Sequence, residues 1–164
     1  MRFRATDEPR DWGPPLTRAP GPPILSAVPH RVLDHTADYM VEVTASSLPE
    51  LFAEAALALF ATVTDVKTVR PQEEVSLIVE AADTEELLVT WLTELLFLYE
   101  SERWLFCRFE ARLVDEKRVS GKAWGERFDP DRHPIEREVK AVTYHRMAFE
   151  REGNSIKTRI VFDV

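Results

Sequence analysis

Two apolar stripes at helical spacing constrain the fold of this chain more than any other feature. The first lies in SSLPELFAEAALALFATV, where Ser47 and Glu50 form a capping box and Pro49 suits the first turn. The second lies in TEELLVTWLTELLFLYESER, which follows Asp83 and has Glu86 three residues after that cap. The sequence therefore predicts two amphipathic helices that each bury one face. The stripes comprise Leu48, Leu51, Phe52, Ala55, Leu59 and Val63, then Leu87, Leu88, Trp91, Leu92, Leu95 and Tyr99.

Apolar and polar residues alternate in most of the remaining body, which predicts strands with one buried face. These segments read YMVEVTAS, EVSLIVEA, WLFCRFEARLV, KRVSGKAWGERF, EVKAVTYHRMAFE and IKTRIVFDV. The third and fourth are joined through 115–117, and the last two through a two-residue hairpin turn at Gly153-Asn154.

The hairpin turn sets a register for the last two strands. It places Glu150 opposite Lys157, an opposite-charge pair that supports this register. Extended further, the same register predicts Tyr144 opposite Asp163 and His145 opposite Phe162, with Lys140 on the face of Asp163.

Proline separates an N-terminal tail from the body. Seven of the 11 prolines precede His30, and proline sustains neither a helix nor an inner strand. The sequence predicts an extended, poorly ordered tail over residues 1–28 and one domain over residues 29–164.

Composition favours a soluble intracellular protein that does not bind nucleic acid. Apolar residues make up 45% of the 164 residues, enough for a core, and no apolar run approaches a membrane span. The N-terminus lacks the apolar stretch of a signal peptide, and the single Cys107 is expected to be a small strand residue. The net charge of −8 opposes a phosphate backbone and suits a protein partner or a metal ion. We expect a cytoplasmic location.

Acids lie at both ends of the body, in LDHTAD and in the final FDV. Asp38 and Asp163 are hard oxygen ligands that suit magnesium, calcium or manganese, although on composition alone a solvated loop and a frayed terminus explain them better. His35, His133 and His145 have no spacing typical of a zinc site. The sequence also lacks a nucleophile elbow, a phosphate-binding glycine loop and a dinucleotide fingerprint.

From His30 onward the sequence closely resembles the archease family. The resemblance rests on HRVLDHTADYMVEVTASSLPELFAEAALALF, ELLFLYESERWLF, GERFDPDRH, EVKAVTYH and VFDV, in that order. It covers nearly all of residues 29–164 and leaves the tail outside. Tyr39 and Pro49 are mild departures from the family pattern and touch no site position.

The resemblance implies a two-layer α/β fold of the α+β kind, with a mixed, mostly antiparallel sheet packed against two helices. It implies a protein that is no enzyme itself but activates the RtcB-type tRNA-splicing RNA ligase. That ligase attaches GMP to its own histidine, and the activator promotes this guanylylation, restores turnover and can broaden nucleotide use. The family binds a divalent cation, calcium in particular, and the corresponding ligands here are Asp38, Asp163 and an oxygen of Val164. Manganese or magnesium are alternatives.

Five further residues are candidates for the ligase-activating surface. Asp34 and His35 precede the first metal ligand, Asp38. Lys140, Tyr144 and His145 belong to EVKAVTYH, which is polar for an interior strand. Lys140 is expected to contact the ligase or a nucleotide phosphate. Two other functions stay open: a small metal-dependent hydrolase that uses Asp38, His35 and His145, and a chaperone-like binding module without a metal.

Overall fold

The computed structural model describes residues 4–6, 30–33, 38–143 and 147–164, with the backbone alone at 4–6, 32 and 33. A short 3-10 helix, Val66–Thr68, follows the first α-helix. Neither α-helix in these parts of the chain is long and apolar enough to cross a membrane. In chain order the other elements are β1 (Arg4–Thr6), β2 (His30–Leu33), β3 (Tyr39–Ala45), α1 (Leu48–Val63), β4 (Glu73–Glu80), α2 (Thr84–Glu102), β5 (Trp104–Asp115), β6 (Arg118–Arg127), β7 (Ala141–Thr143), β8 (Glu150–Glu152) and β9 (Ser155–Asp163).

The strands form two sheets, with every pairing among the described residues antiparallel. Sheet 1 has the order β1-β4-β6-β5, and sheet 2 has the order β2-β3-β9-β7 with β8 also paired to β9. The predicted α+β class with two helices is confirmed, but the strands divide into two sheets where a single mixed sheet was expected. Helix α2 connects β4 to β5, which run in the same direction, yet the antiparallel β6 lies between them. No two parallel strands are therefore neighbours among the strands described.

Both helices begin where the sequence predicts. Ser47 caps α1 by accepting a hydrogen bond from the Glu50 N–H at 3.3 Å, and Asp83 caps α2 by accepting one from the Glu86 N–H at 2.8 Å. In both caps the glutamate carboxylate turns back to the residue before the cap, accepting from the N–H of Ser46 or of Ala82. Each pair satisfies N–H groups that have no partner inside the helix.

The predicted stripes form the core between the helices and the sheets. All members of both stripes are buried except Leu48, which is partly buried and packs against the core. Trp91 of α2 is fully buried and donates a hydrogen bond from Nε1 to the Phe52 carbonyl of α1 at 3.1 Å, which satisfies its one polar atom. Helix α1 contacts strands of both sheets, so it joins them into one body.

The predicted hairpins are present. β8 and β9 turn at Gly153, whose φ of 59° lies in the left-handed region that favours glycine, and Glu150 pairs with Lys157 as expected. β5 and β6 turn at residues 116 and 117, between Asp115 and Arg118. Cys107 lies in β5 as predicted, and burial raises the pKa of its thiol to about 11, so it stays protonated and unreactive at neutral pH.

Three residues of the predicted tail form a strand. β1 pairs with β4 at the edge of sheet 1, with Arg4 opposite Ile78 and Thr6 opposite Ser76. The sequence predicts only an extended segment here, since its prolines begin at Pro9 and leave residues 4–6 free to pair. Residues 1–3 and 7–29 lie outside the described residues, so the domain boundary at residue 29 stays a prediction.

Candidate functional site

The two acids from opposite ends of the folded body lie at one corner of sheet 2. β3 begins at Tyr39 and β9 ends at Asp163, and Tyr39 pairs with Phe162. Extended by one residue beyond this last pair, the same register sets Asp38 opposite Asp163. Opposite residues of an antiparallel pair have Cα atoms about 4.5–5.5 Å apart and side chains on the same face. The β3–β9 register therefore brings together two carboxylates that are far apart in sequence.

Lys140 approaches the same corner from the other side of β9. Its backbone N–H donates a hydrogen bond to the Asp163 carbonyl at 2.7 Å, and the next residue, Ala141, pairs with Asp163 in β7. The Lys140 side chain is exposed, as are Asp163 and Val164, while Asp38 is half-buried. Three of the predicted site residues thus adjoin Asp163: Asp38 across one ladder, Lys140 across the other and Val164 along the chain.

The predicted register near the end of β9 is wrong by three residues. Ala141 pairs with Asp163 where the sequence predicts Tyr144, and Val142 pairs with Phe162 where it predicts His145. The hairpin register holds along β8, but residues 147–149 leave the ladder and Met147 is buried in the core instead. The register changes between β7 and β8, over a connection that includes the residues outside the described parts of the chain.

Four candidate residues lie outside the described residues. Asp34 and His35 belong to the segment 34–37, and Tyr144 and His145 belong to the segment 144–146. Their placement as neighbours of the site stays a prediction.

The described residues fit a divalent cation that prefers oxygen. In this register Asp38 and Asp163 could offer two carboxylates to one ion, and a backbone oxygen of Val164 could add a third ligand. Calcium takes 6–8 oxygens and magnesium often keeps several waters beside one or two carboxylates, so water or a partner would complete the shell. No group of three or more His, Cys, Asp and Glu side chains forms a metal cluster within the part of the chain that the structure describes. The donor set here suits calcium, magnesium or manganese better than zinc.

Comparison with known proteins identifies the group to which this chain is related. A model of the archease protein family matches residues 30–164. The chain belongs to the archease family. The match begins at the first residue of β2, so β1 lies outside the part shared with other archeases.

Archeases of several archaea resemble this chain in sequence, and two solved structures resemble it in fold. The protein archease of Methanopyrus kandleri is 45% identical over 113 residues, which is 67% of this chain and 81% of the relative. That of Sulfurisphaera tokodaii is 42% identical over 112 residues, 67% of this chain and 80% of the relative. The solution structure of protein 1598 of Methanobacterium thermoautotrophicum is 33% identical with a TM-score of 0.72, covering 83% of this chain and 99% of that one. The crystal structure of a Thermotoga maritima archease, described as a possible chaperone, is 28% identical with a TM-score of 0.54, covering 80% and 94%.

One stretch that resembles other archeases, GERFDPDRH, has a structural role here. Glu126 is 5% exposed and accepts hydrogen bonds from the Arg70 N–H at 3.0 Å and from His133 Nε2 at 2.9 Å. Its second carboxylate oxygen forms an ion pair with Arg132 at 2.8 Å. His133 Nδ1 accepts the Asp129 N–H at 2.8 Å, so Nε2 carries the proton and both ring nitrogens are used. His133 is therefore unsuited to bind zinc, and the Glu126–His133 pair fixes the chain as it leaves β6.

The buried Glu126 is held ionised by its neighbours. Burial alone would raise its pKa, but the Arg70 amide, the Arg132 guanidinium and His133 all bond to the carboxylate. Their combined effect outweighs burial and keeps the pKa below its ordinary value of 4.5. The sequence could not show this, because the bonds join segments that are distant along the chain.

The sequence analysis missed a contact of Arg137 with Tyr39, the first residue of β3. Its guanidinium carbon is 4.2 Å from the centroid of the Tyr39 ring, and Tyr39 is the residue that follows Asp38. Arg137 belongs to the connection between β6 and β7, three residues before Lys140. No regular spacing of apolar residues marks this segment in the sequence. In the structure residues 134–138 are all exposed.

Proposed function

We propose that this protein activates an RtcB-type tRNA-splicing RNA ligase and promotes the attachment of GMP to the ligase histidine. Membership of the archease family supports this function, and so does the meeting of Asp38 with Asp163 beside Lys140. Asp38 and Asp163 each lie one residue beyond the last pair of the β3–β9 ladder, and this observation carries the proposal. The protein would act as a cytoplasmic activator, with no turnover of its own.

The corner of sheet 2 would hold one divalent cation. Asp38 and Asp163 supply carboxylate oxygens and Val164 supplies a backbone oxygen, with calcium, manganese or magnesium as the ion. When bound, the cation contributes positive charge that attracts phosphate oxygens. The exposed Lys140, fixed by its backbone bond to Asp163, would place a second positive charge next to it.

The partner would be the ligase and not RNA. Residues 1–28 carry four arginines and three acids, which leaves a net charge of −9 on the remainder of the chain. This negative charge opposes binding of a nucleic-acid phosphate backbone along an extended surface. A single corner that carries Lys140 and a cation could instead enter the active site of the ligase, which already holds GTP. The activator would bias the ligase toward its reactive arrangement by binding that arrangement more tightly than the idle one. A difference of about 1.4 kcal/mol shifts the ratio of the two states tenfold.

A guanylylation assay tests this function. The protein is mixed with the ligase of its own organism, labelled GTP and manganese, and transfer of GMP to the ligase is followed. We expect faster transfer with the wild-type protein, loss of the effect with Asp38→Ala, and full activity with Asp131→Ala, an exposed acid on the connection after β6. Equal transfer with and without the protein would overturn the proposal. Hydrolysis of nucleotides or phosphoesters by the isolated protein would favour the hydrolase alternative.

A further inference from the structure

We propose that the solvent-facing side of α2 is a docking surface that binds a Lys- and Arg-rich face of the partner ligase. The identity of this partner rests on the proposed function. Phe97 is the apolar anchor of the surface, and the glutamates of α2 supply its charge. The surface belongs to a different element from the candidate cation site, so it contributes contact area and takes no part in the chemistry.

Phe97 lies where an amphipathic helix normally carries a polar residue. Its side chain is 51% exposed, and no other aromatic residue is among the exposed large apolar residues of the described chain. With 3.6 residues per turn, Phe97 shares one side of α2 with Thr90, Thr93 and Glu94, opposite the buried stripe. It is therefore not a residue at the margin of the core. Because a single exposed apolar residue is common, the surface around it decides its meaning.

A groove next to this side of α2 has room for a side chain of the partner. It has a volume of about 350 Å³ and lies between α2, the end of β4 and β7. Val89 and Val142 line it with apolar groups, and Glu86 and Glu94 line it with carboxylates, whereas neither Lys nor Arg is among its described lining residues. Glu94 lies one turn before Phe97. Apolar walls together with carboxylates suit the stem and the charged end of a Lys or Arg side chain.

The charge of α2 is negative along its whole length. Five glutamates and no Lys or Arg lie in this helix. Two of them, Glu100 and Glu102, lie in the last turn, where the helix macrodipole disfavours negative charge. Glu102 pairs with Arg127 at 3.7 Å, but Glu100 has no ion pair within the part of the chain that the structure describes. Helix stability therefore does not account for Glu100, whereas a positively charged partner does.

The ligase is the occupant that these features favour. An enzyme that joins RNA ends contacts phosphates through clustered Lys and Arg, so it presents positive charge at its surface. A second copy of this protein, docked through the same face, would bring five more glutamates against the first five. RNA would meet the same repulsion. A basic protein surface with one Lys or Arg in the groove and an apolar contact on Phe97 meets no such penalty.

Calorimetry with the intact protein and the ligase tests the surface. Binding is measured at low and at high salt for the wild type, Phe97→Ser, Glu100→Lys and Asp131→Lys. We expect Phe97→Ser to weaken binding about tenfold or more, as the loss of an interface anchor does. Glu100→Lys should weaken binding at low salt and make the affinity less dependent on salt. Asp131→Lys, the same charge reversal at an exposed acid after β6, should match the wild type.

Urea unfolding of the same variants distinguishes docking from a structural role. Glu100→Lys should be at least as stable as the wild type, since a cation in the last turn suits the helix macrodipole. Phe97→Ser should change the stability little, because about half of the side chain is already in solvent. Weaker binding without a loss of stability then cannot result from misfolding.

Two results would overturn the docking surface. One is an affinity for the ligase equal to that of the wild type in both Phe97→Ser and Glu100→Lys. The other is reduced self-association of Phe97→Ser in sedimentation experiments with unchanged ligase affinity, which would assign this face to a second copy of the chain.

The docking surface and the proposed function fail separately. If ligase binding depends on Phe97 but transfer of GMP is not accelerated, the surface stands and the activator function falls. If the wild type and both variants bind the ligase and accelerate transfer equally, only the surface falls.

Discussion

Individual buried charges in this protein serve the fold as well as the site. Glu126 is the clearest case, because one carboxylate bonds to the Arg70 amide, Arg132 and His133 and so ties three segments together. Each of these bonds favours the ionised form. The stability of the fold should therefore depend on pH through this residue.

Acid should weaken the protein through Glu126. Because the folded state lowers the pKa of this group, its stabilisation is complete above the ordinary value of 4.5 and is lost as pH falls through the folded pKa. Glu126→Gln should cost about 1–3 kcal/mol at pH 7, since a charged acceptor is lost in a buried network. Urea unfolding at pH 7 and at steps below pH 4.5 measures the free energy of unfolding of wild type and Glu126→Gln. The difference between the two proteins should become smaller as pH falls.

An exposed glutamate provides the comparison. Glu138 is exposed on the connection between β6 and β7. Glu138→Gln should leave the free energy of unfolding at pH 7 near that of the wild type. A constant difference between Glu126→Gln and wild type across the acid range would contradict the assigned role of Glu126.

Among the elements, β1 is the one that the family match does not include. It pairs with three residues of β4, and the matched region begins only at β2. An unpaired edge strand exposes N–H and C=O groups to other chains, and a short added strand covers part of that edge. β1 should therefore affect stability and self-association more than activation.

Deletion of residues 1–29 tests the role of β1. We expect full activation of the ligase, a loss of about 1–2 kcal/mol in the free energy of unfolding from the lost strand pairs, and more self-association in sedimentation experiments. Ala5→Pro removes one N–H of β1 without shortening the chain and should reproduce the stability change. A large loss of activation on deletion would show instead that the tail contacts the ligase.

The sequence predicted local structure better than tertiary register. Caps, apolar stripes and the Gly153 turn depend on neighbours in sequence, and the structure confirms them. The register beyond the hairpin failed because a hairpin turn fixes the pairing only next to itself, and β7 pairs with β9 three residues out of that register. Alternation also could not tell one sheet from two, since it specifies a buried face but not the neighbouring strand.

The candidate site was predictable only in part. Asp38, Asp163 and Lys140 stood out through the resemblance to the archease family, and the β3–β9 and β7–β9 pairings now give a geometric reason for their proximity. The contact of Arg137 with Tyr39 was not predictable, because the two residues are far apart in the sequence. Contacts between distant segments leave no periodic signal in a single sequence.

At the scale of the whole molecule, the position of β9 in sheet 2 brings the candidate site residues together. β9 lies between β3 and β7, so it meets the start of β3 on one side and, through β7, the connection from β6 on the other. The three segments bring Asp38, Asp163 and Lys140 to one corner of a body with a net negative charge. The proposed function depends on the binding of one cation by both acids together.

A double-mutant cycle of cation binding tests this claim most directly. Calorimetry with calcium and with manganese is performed on wild type, Asp38→Ala, Asp163→Ala and the double variant, with Asp131→Ala as the control. If the carboxylates share one ion, each single change should weaken binding by at least the roughly 10–100-fold loss typical of a residue that only positions a ligand. The double variant should then be little worse than either single variant, because the site is already lost. Binding that is unchanged in both single variants, or losses that add independently in the double variant, would contradict a shared cation site.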